Sequence, residues 1–163
     1  MFDIKLCKMT KELARQYYQD FEHDPVVFKD PSNFTPYVYS EARADAYFDK
    51  QIRLGREYLA ILVESVPVGE IILKNIDLNY RCCTLSIHLQ NDSVKEKGYG
   101  TQAEILALEY AFQDLKMETV YADAVLQNHR SHHVLKKVGF VKTNSDDTFC
   151  YYRCDRSIWE KPE

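Results

Sequence analysis

Val94-Lys95-Glu96-Lys97-Gly98-Tyr99-Gly100-Thr101-Gln102-Ala103-Glu104 joins a strand-like segment, residues 84–89, to an amphipathic helix that the pattern carries to about Lys116. Ile105, Leu108, Phe112 and Leu115 recur along that helix at helical spacing. Gly98 and Gly100 stand at the junction, with the cations Lys95 and Lys97 beside them. Glycine lets backbone amides converge on a ligand with no Cβ in the way. Amides at a helix start are short of partners, and the helix dipole there favours an anion. The stretch therefore reads as a cradle for phosphate or pyrophosphate, with a ligand-free glycine turn as the plain alternative. Thr101-x-x-Glu104 also fits a capping box, which would make Thr101 structural rather than a phosphate ligand. The nucleotide-hydrolase loop G-x-x-x-x-G-K-[ST] is absent from the chain. A dinucleotide fingerprint is matched only in part: Ala103 holds the third place, and the preceding strands read as a meander, not an opening βαβ unit.

Upstream of this junction, residues 2–9 alternate enough for a first strand, and Thr10 can cap a helix through about Phe21 with Leu13, Ala14, Tyr17 and Tyr18 as its apolar stripe. Residues 23–40 contain three X-Pro pairs, Asp24-Pro25, Asp30-Pro31 and Thr35-Pro36, so they are irregular. Their aromatics, Phe28, Phe34, Tyr37 and Tyr39, suggest a packed loop. A second helix follows over 41–54, then three strands over 57–64, 68–77 and 81–89. The turns between them, Ser65-Val66-Pro67 and Leu78-Asn79-Tyr80, are short enough for an antiparallel meander. Downstream lie a strand over 119–125, a short helix over 128–138 ended by Gly139, and a hairpin of strands over 140–142 and 148–154. The order is βααβββαβαββ, a mixed α/β sheet.

The chain has 163 residues, most simply one domain with a real core. No apolar run approaches the roughly 20 residues of a membrane helix, and the start lacks a signal-peptide pattern, so a cytoplasmic, membrane-free protein is expected. The net charge of −4 argues against a broad nucleic-acid-binding face and leaves room for a cationic substrate. Five cysteines suit a reducing compartment better than a disulfide framework, and Cys82, Cys83, Cys150 and Cys154 show no zinc spacing. His129, His132 and His133 share a helix face in part, but no carboxylate or cysteine is tied to them by spacing, so no metal is expected.

About 30 residues after the glycine segment, Asn128-His129-Arg130-Ser131-His132-His133-Val134-Leu135-Lys136-Lys137-Val138-Gly139-Phe140 forms a second strand-to-helix unit. With both segments in this order the chain resembles the GNAT superfamily of acetyl-CoA-dependent N-acetyltransferases. The family's Q/R-x-x-G-x-G/A motif is matched by residues 95–100, with Lys95 in the first place, and its later asparagine-to-Gly-Phe helix by 128–140. The resemblance covers essentially the whole chain and is nearest the branch that includes the Rim-type ribosomal-protein acetyltransferases. It implies one domain over 1–163, an α/β (α+β) fold with a mixed, mostly antiparallel sheet splayed between its fourth and fifth strands, and helices on both faces.

The resemblance further implies acetyl-CoA as co-substrate and no metal. Backbone groups around Leu89 and Gln90 would pair with the pantetheine amides, and a backbone N–H there would polarise the thioester carbonyl. The cofactor set is completed by Lys95, Glu96, Lys97, Gly98, Tyr99, Gly100 and Thr101 at the pyrophosphate, and by Asn128, which is equally suited to cap its helix. Many members carry a tyrosine acid where this chain has Leu135. Ser131, one turn earlier, is the substitute, against a plain solvated serine. An amine of pKa near ~10 must lose a proton before it attacks. Glu70 and His88 are the base candidates. Glu70 either faces solvent or points into the acceptor site, and His88 shares a strand face with Thr84 and Ser86. The expected partner is a primary amine: a small amine, an amino-acid derivative or a protein N-terminus. Its pocket would be walled by residues 23–40 and 41–54. A homodimer is implied by the branch, with Tyr151 and Tyr152 of the last hairpin as its support. A catalytically silent acyl-CoA-binding sensor is the alternative that Leu135 keeps open.

Overall fold

Short polar side chains set three of the four helix starts. Thr10 accepts from the Leu13 amide at 3.1 Å and opens α1 (Lys11–Gln19). Ser40 accepts from the Arg43 amide at 3.1 Å and opens α2 (Glu41–Arg53). Asn128 accepts from the Ser131 amide at 3.2 Å and opens α4 (His129–Val138), which stops at Gly139 in the left-handed conformation. Helix α3 (Tyr99–Glu109) differs: it begins at Gly98, also left-handed, with no side chain capping it. Thr101 lies within the first turn of α3, so the capping box expected with Glu104 does not form. The helix continues as one π turn, Tyr110–Asp114, instead of running evenly to Lys116.

The computed structural model describes residues 3–163, so Phe2 of the expected first strand lies outside the described residues. The strands are β1 (Ile4–Lys8), β2 (Glu57–Val63), β3 (Val66–Asp77), β4 (Cys82–Leu89), β5 (Thr119–Val125), β6 (Val141–Ser145) and β7 (Phe149–Asp155). They form one sheet in the order β1-β2-β3-β4-β5-β7-β6, antiparallel except for the β4–β5 pair. The element order is the one expected from the sequence. The β2–β3 turn is tighter than expected: Glu64 and Ser65, both at positive φ, close a two-residue hairpin, and Val66 and Pro67 join the strand. A register shift beside Leu62 absorbs the proline.

Alternation along the strands divides the core. Tyr58, Ala60 and Ile72 point to one face and pack with Met9 and Ala14, while Leu59, Ile61, Ile71, Leu73 and Leu85 point to the other and pack with Ala103, Ala107, Leu108 and Val138. Helices α1 and α2 therefore cover the first face, and α3 and α4 the second. Each fully buried Ile or Leu side chain contributes about 1.5–3 kcal/mol.

Strands β4 and β5 pair only over Cys82–Thr119, Cys83–Val120 and Thr84–Tyr121. Past Thr84 they part, and the end of β4 keeps its ladder with β3 alone. That divergence positions the site. No helix among the described residues is long and apolar enough to cross a membrane.

Candidate active site

A cleft of about 1150 Å³ opens where β4 and β5 part, lined by the start of α3, the start of α4 and the loop after α1. Its two halves are built differently.

The first half is largely backbone. Glu96 at φ +60° and Gly98 at φ +81° turn the loop before α3 through left-handed conformations, an arrangement that gathers successive amides toward an anion. A Cβ on Gly98 would meet nothing within 4 Å, so the backbone angle and not crowding is what calls for glycine there. At Gly100 a Cβ would make only ordinary contacts, 3.9 Å to Leu89 Cδ1 and 4.0 Å to Ile87 Cδ1. Packing within the protein does not require that glycine, and it lines the cleft. On β4, the Gln90 amide donates to Val68 O at 2.9 Å, toward β3. The alternation of an antiparallel ladder then turns the Leu89 and Ile87 backbone groups to the edge that β5 has left.

Two of the residues singled out in this half are engaged otherwise. Both backbone groups of Gln90 are used inside the protein, its carbonyl accepting from the Glu22 amide at 2.9 Å, and its side chain donates to Tyr17 O at 2.8 Å, outside the cleft. The Lys95 ammonium lines the cleft but donates to Asp24 at 2.8 Å and Asp92 at 3.0 Å, tying the loop after α1 to the loop before α3. Burial opposes the charged form of Asp24, yet the bonds from Lys95 and the Val26 amide outweigh it and hold its carboxyl below the usual range. Lys97 is exposed and does not line the cleft. Glu96, Gly98, Tyr99, Gly100, Thr101 and Asn128 do. Arg130 bridges to Glu96 at 3.0 Å, linking the α4 start to the same loop.

The second half is side chains drawn from four elements. Glu70 is 1% exposed and does not face solvent. Its carboxylate accepts from the Tyr18 hydroxyl at 2.7 Å and the Tyr58 hydroxyl at 2.6 Å. Burial first, and the Glu70 charge second, push both hydroxyls well above their ordinary pKa, so they remain donors. His88 stands opposite Glu70 in the β3–β4 register, its Nδ1 3.5 Å from Glu70 Oε1, with its side chain 44% exposed. Gly69 makes this pairing possible: a Cβ there would fall 2.9 Å from His88 O and 2.8 Å from Ile61 Cδ1.

Around Glu70 and His88 stand Phe21, His23, Tyr37 and Tyr47, and Arg43 lies over the Tyr37 ring at 4.1 Å. The irregular segment holding His23 and Tyr37 is shaped by two aspartates. Asp24 and Asp30 each accept an amide at 3.0 Å and start the 3-10 turns Pro25–Val27 and Pro31–Asn33.

Ser131 lines the cleft beside Asn128, whose side chain caps α4. Leu135, in the tyrosine place, is 2% exposed within the core and away from the cleft. His132 is held structurally: Nε2 lies 2.9 Å from Val125 O, which makes it the donor, and Nδ1 lies 2.7 Å from the Tyr152 hydroxyl. No group of three His, Cys, Asp or Glu able to hold a metal exists among the described residues. Tyr152 is itself 2% exposed, so it does not offer a surface to a second copy, contrary to the expectation for the last hairpin. Sequence reasoning missed Tyr58 and the polar role of Tyr18, whose helical spacing reads only as apolar. It also missed Asp24 and a buried acid in the cleft wall, Glu104.

A profile of the acetyltransferase (GNAT) domain matches residues 3–141. The chain belongs to the GNAT family. Its expected enzyme class, an acetyl-CoA-dependent N-acetyltransferase, is the class of that family. Among curated protein sequences none matches it. Solved GNAT structures share the fold at low identity. A chimera of the Vibrio cholerae spermidine N-acetyltransferase SpeG and hSSAT superposes with a TM-score of 0.78 at 15% identity, over 94% of this chain and 96% of that one. A probable acetyltransferase gives 0.76 at 19% identity, over 96% and 94%. The V. cholerae spermidine enzyme in complex with CoA and spermine gives 0.75 at 16% identity, over 94% and 96%.

Proposed function

We propose that this GNAT chain transfers an acetyl group from acetyl-CoA to a primary amine, with residues 1–163 acting as one domain. The observation that carries the reading is the single cleft in which an uncapped helix start and the unpaired end of β4 meet a buried carboxylate and an exposed histidine. The loop amides over 96–101 and the α3 dipole bind the pyrophosphate. The backbone groups of Ile87 and Leu89 take the pantetheine arm as an added strand and leave a donor near the thioester carbonyl.

Both Glu70 oxygens already accept tyrosine hydroxyls, so the proton of the incoming amine goes to His88, and Glu70 orients that ring. The deprotonated amine nitrogen bonds to the acetyl carbon, the C–S bond breaks with its electron pair on sulfur, and the second proton, which the nitrogen sheds as the amide forms, is relayed to the thiolate. Ser131 is the hydroxyl on the cleft wall that serves that last transfer. Five free thiols suit a reducing compartment such as the cytoplasm.

The acceptor is drawn into the aromatic half of the cleft. The complex of the V. cholerae enzyme with spermine makes a polyamine the first acceptor to assay, whereas Arg43 on this wall disfavours a polycation. The Rim-type placement within the family draws no support from the structures compared. Association of copies is proposed only in general form, since the V. cholerae enzyme has also been solved as a dodecamer. A silent acyl-CoA sensor is the second reading, favoured by the aliphatic Leu135. An assay of CoA release over polyamines, aralkylamines and amino-acid derivatives separates the two. Turnover with any of them supports the enzyme. Calorimetric binding of acetyl-CoA with no turnover on any amine supports the sensor.

A further inference from the structure

Among the described residues one buried side-chain oxygen has no hydrogen-bond partner: Oε2 of Glu104. Such atoms are uncommon in folded proteins and point to a partner outside the chain. Glu104 is 1% exposed and lines the cleft. It follows Gly100 by four residues and Thr101 by three, so the three share a face of α3. Gly100 sets that face against Ile87 and Leu89, the part of β4 that β5 has left unpaired. The carboxyl is therefore on the helix face that would flank a ligand strand added to that edge.

We propose that Glu104 is a donor-binding residue whose carboxyl makes a hydrogen bond with an amide carbonyl of the pantetheine arm. The inference rests on the acetyl-CoA reading above. Burial pushes the Glu104 carboxyl up to about 8, which leaves an O–H on it at neutral pH. Across the cleft, α4 presents His129, Arg130, His133 and Lys137, β4 presents His88, and the loop before α3 presents Lys95 and Glu96. Tyr99 is the other titratable group of α3 in the cleft wall. On the core side, β1 offers only Ile4 and Leu6, and β4 offers Cys83, whose thiol burial pushes up to about 12. A glutamine retains a donor at this place and a leucine does not.

Calorimetry with CoA on the wild type, Glu104→Gln and Glu104→Leu tests this, with adenosine 3′,5′-bisphosphate as the ligand lacking the arm. At pH 7 the glutamine variant is expected within about threefold of wild type and the leucine variant about tenfold weaker or more, a scale set by one lost hydrogen bond. All three should bind the bisphosphate alike. Between pH 7 and 9 the wild type should lose CoA affinity relative to the glutamine variant. Leucine binding CoA as tightly as wild type overturns the inference, as does an equal loss on the bisphosphate. If the leucine variant does not fold, parallel pH curves for wild type and glutamine overturn it. A wild type that binds no CoA overturns the acetyl-CoA reading itself, whereas binding with no effect of Glu104 overturns this inference alone.

Discussion

The two halves of the cleft solve opposite problems. At the α3 end the chain offers backbone amides and a dipole within one continuous segment, and any side chain that intrudes costs room. At the Glu70 end, side chains from α1, β2, β3 and β4 converge on one buried carboxylate. Apart from Glu104, the first half needs backbone angles and space, so it tolerates changes of side-chain chemistry that leave both alone. The second depends on single atoms, because a buried charge must keep its partners. One cleft can thus hold a donor by general features and read its acceptor by specific ones.

The largest effect is expected in the side-chain half. His88→Gln should lower kcat/KM by about 10²–10⁴ while CoA binding stays at the wild-type value, measured by CoA release and calorimetry. Loss of both together would merge the halves that the geometry separates.

Next comes Glu104, the one acid buried in the backbone half. Its folded carboxyl sits at about 8, against an ordinary value of 4.5. The unfolded chain therefore releases this proton first as pH rises. The Glu104 contribution to wild-type stability falls from about pH 4.5, and its loss is complete above about pH 8. Relative to wild type, Glu104→Gln should gain on the order of 4 kcal/mol between pH 4 and pH 9 in urea melts. A stability difference that does not vary with pH would contradict the buried, neutral carboxyl.

Tyr58→Phe should cost about 1–3 kcal/mol by leaving a Glu70 oxygen unpaired, and should lower kcat more than it weakens CoA binding. The smallest effects sharpen the contrast between two glycines. Gly98→Ala should lose about 1 kcal/mol of stability because an L residue is strained at its φ. Gly100→Ala should leave the melt within about 0.5 kcal/mol, since its Cβ fits, yet weaken CoA binding. Equal melts for the two would show that Gly98 is not held by its backbone angle.

The halves also differ in how far they can be read from the chain alone. Residues 95–100 lie together in sequence, so their glycine spacing announces a helix start and an anion site before any folding is known. Glu70 and His88 become a pair only through the β3–β4 register that Gly69 permits, and Tyr18 reaches Glu70 from 52 residues away. Its helical spacing with Ala14 and Tyr17 signals burial and says nothing of the hydroxyl. Glu104 fits a capping-box pattern with Thr101, and that local match hid its place four residues before Leu108, on the buried stripe. The hairpin at Glu64 and Ser65 lacks the glycine that marks such turns, so the sequence pattern places the start of β3 two residues late. Fold order followed from periodicity and punctuation; the acceptor half followed from contacts that no spacing encodes.

The account stands most directly on acetyl transfer itself. Incubation of the protein with acetyl-CoA and a panel of primary amines, read by mass spectrometry of the amines, should show one acetyl group added to at least one of them. His88→Gln, still binding CoA, should sharply slow its formation. Acetyl-CoA bound by the wild type with every amine left unmodified would contradict it.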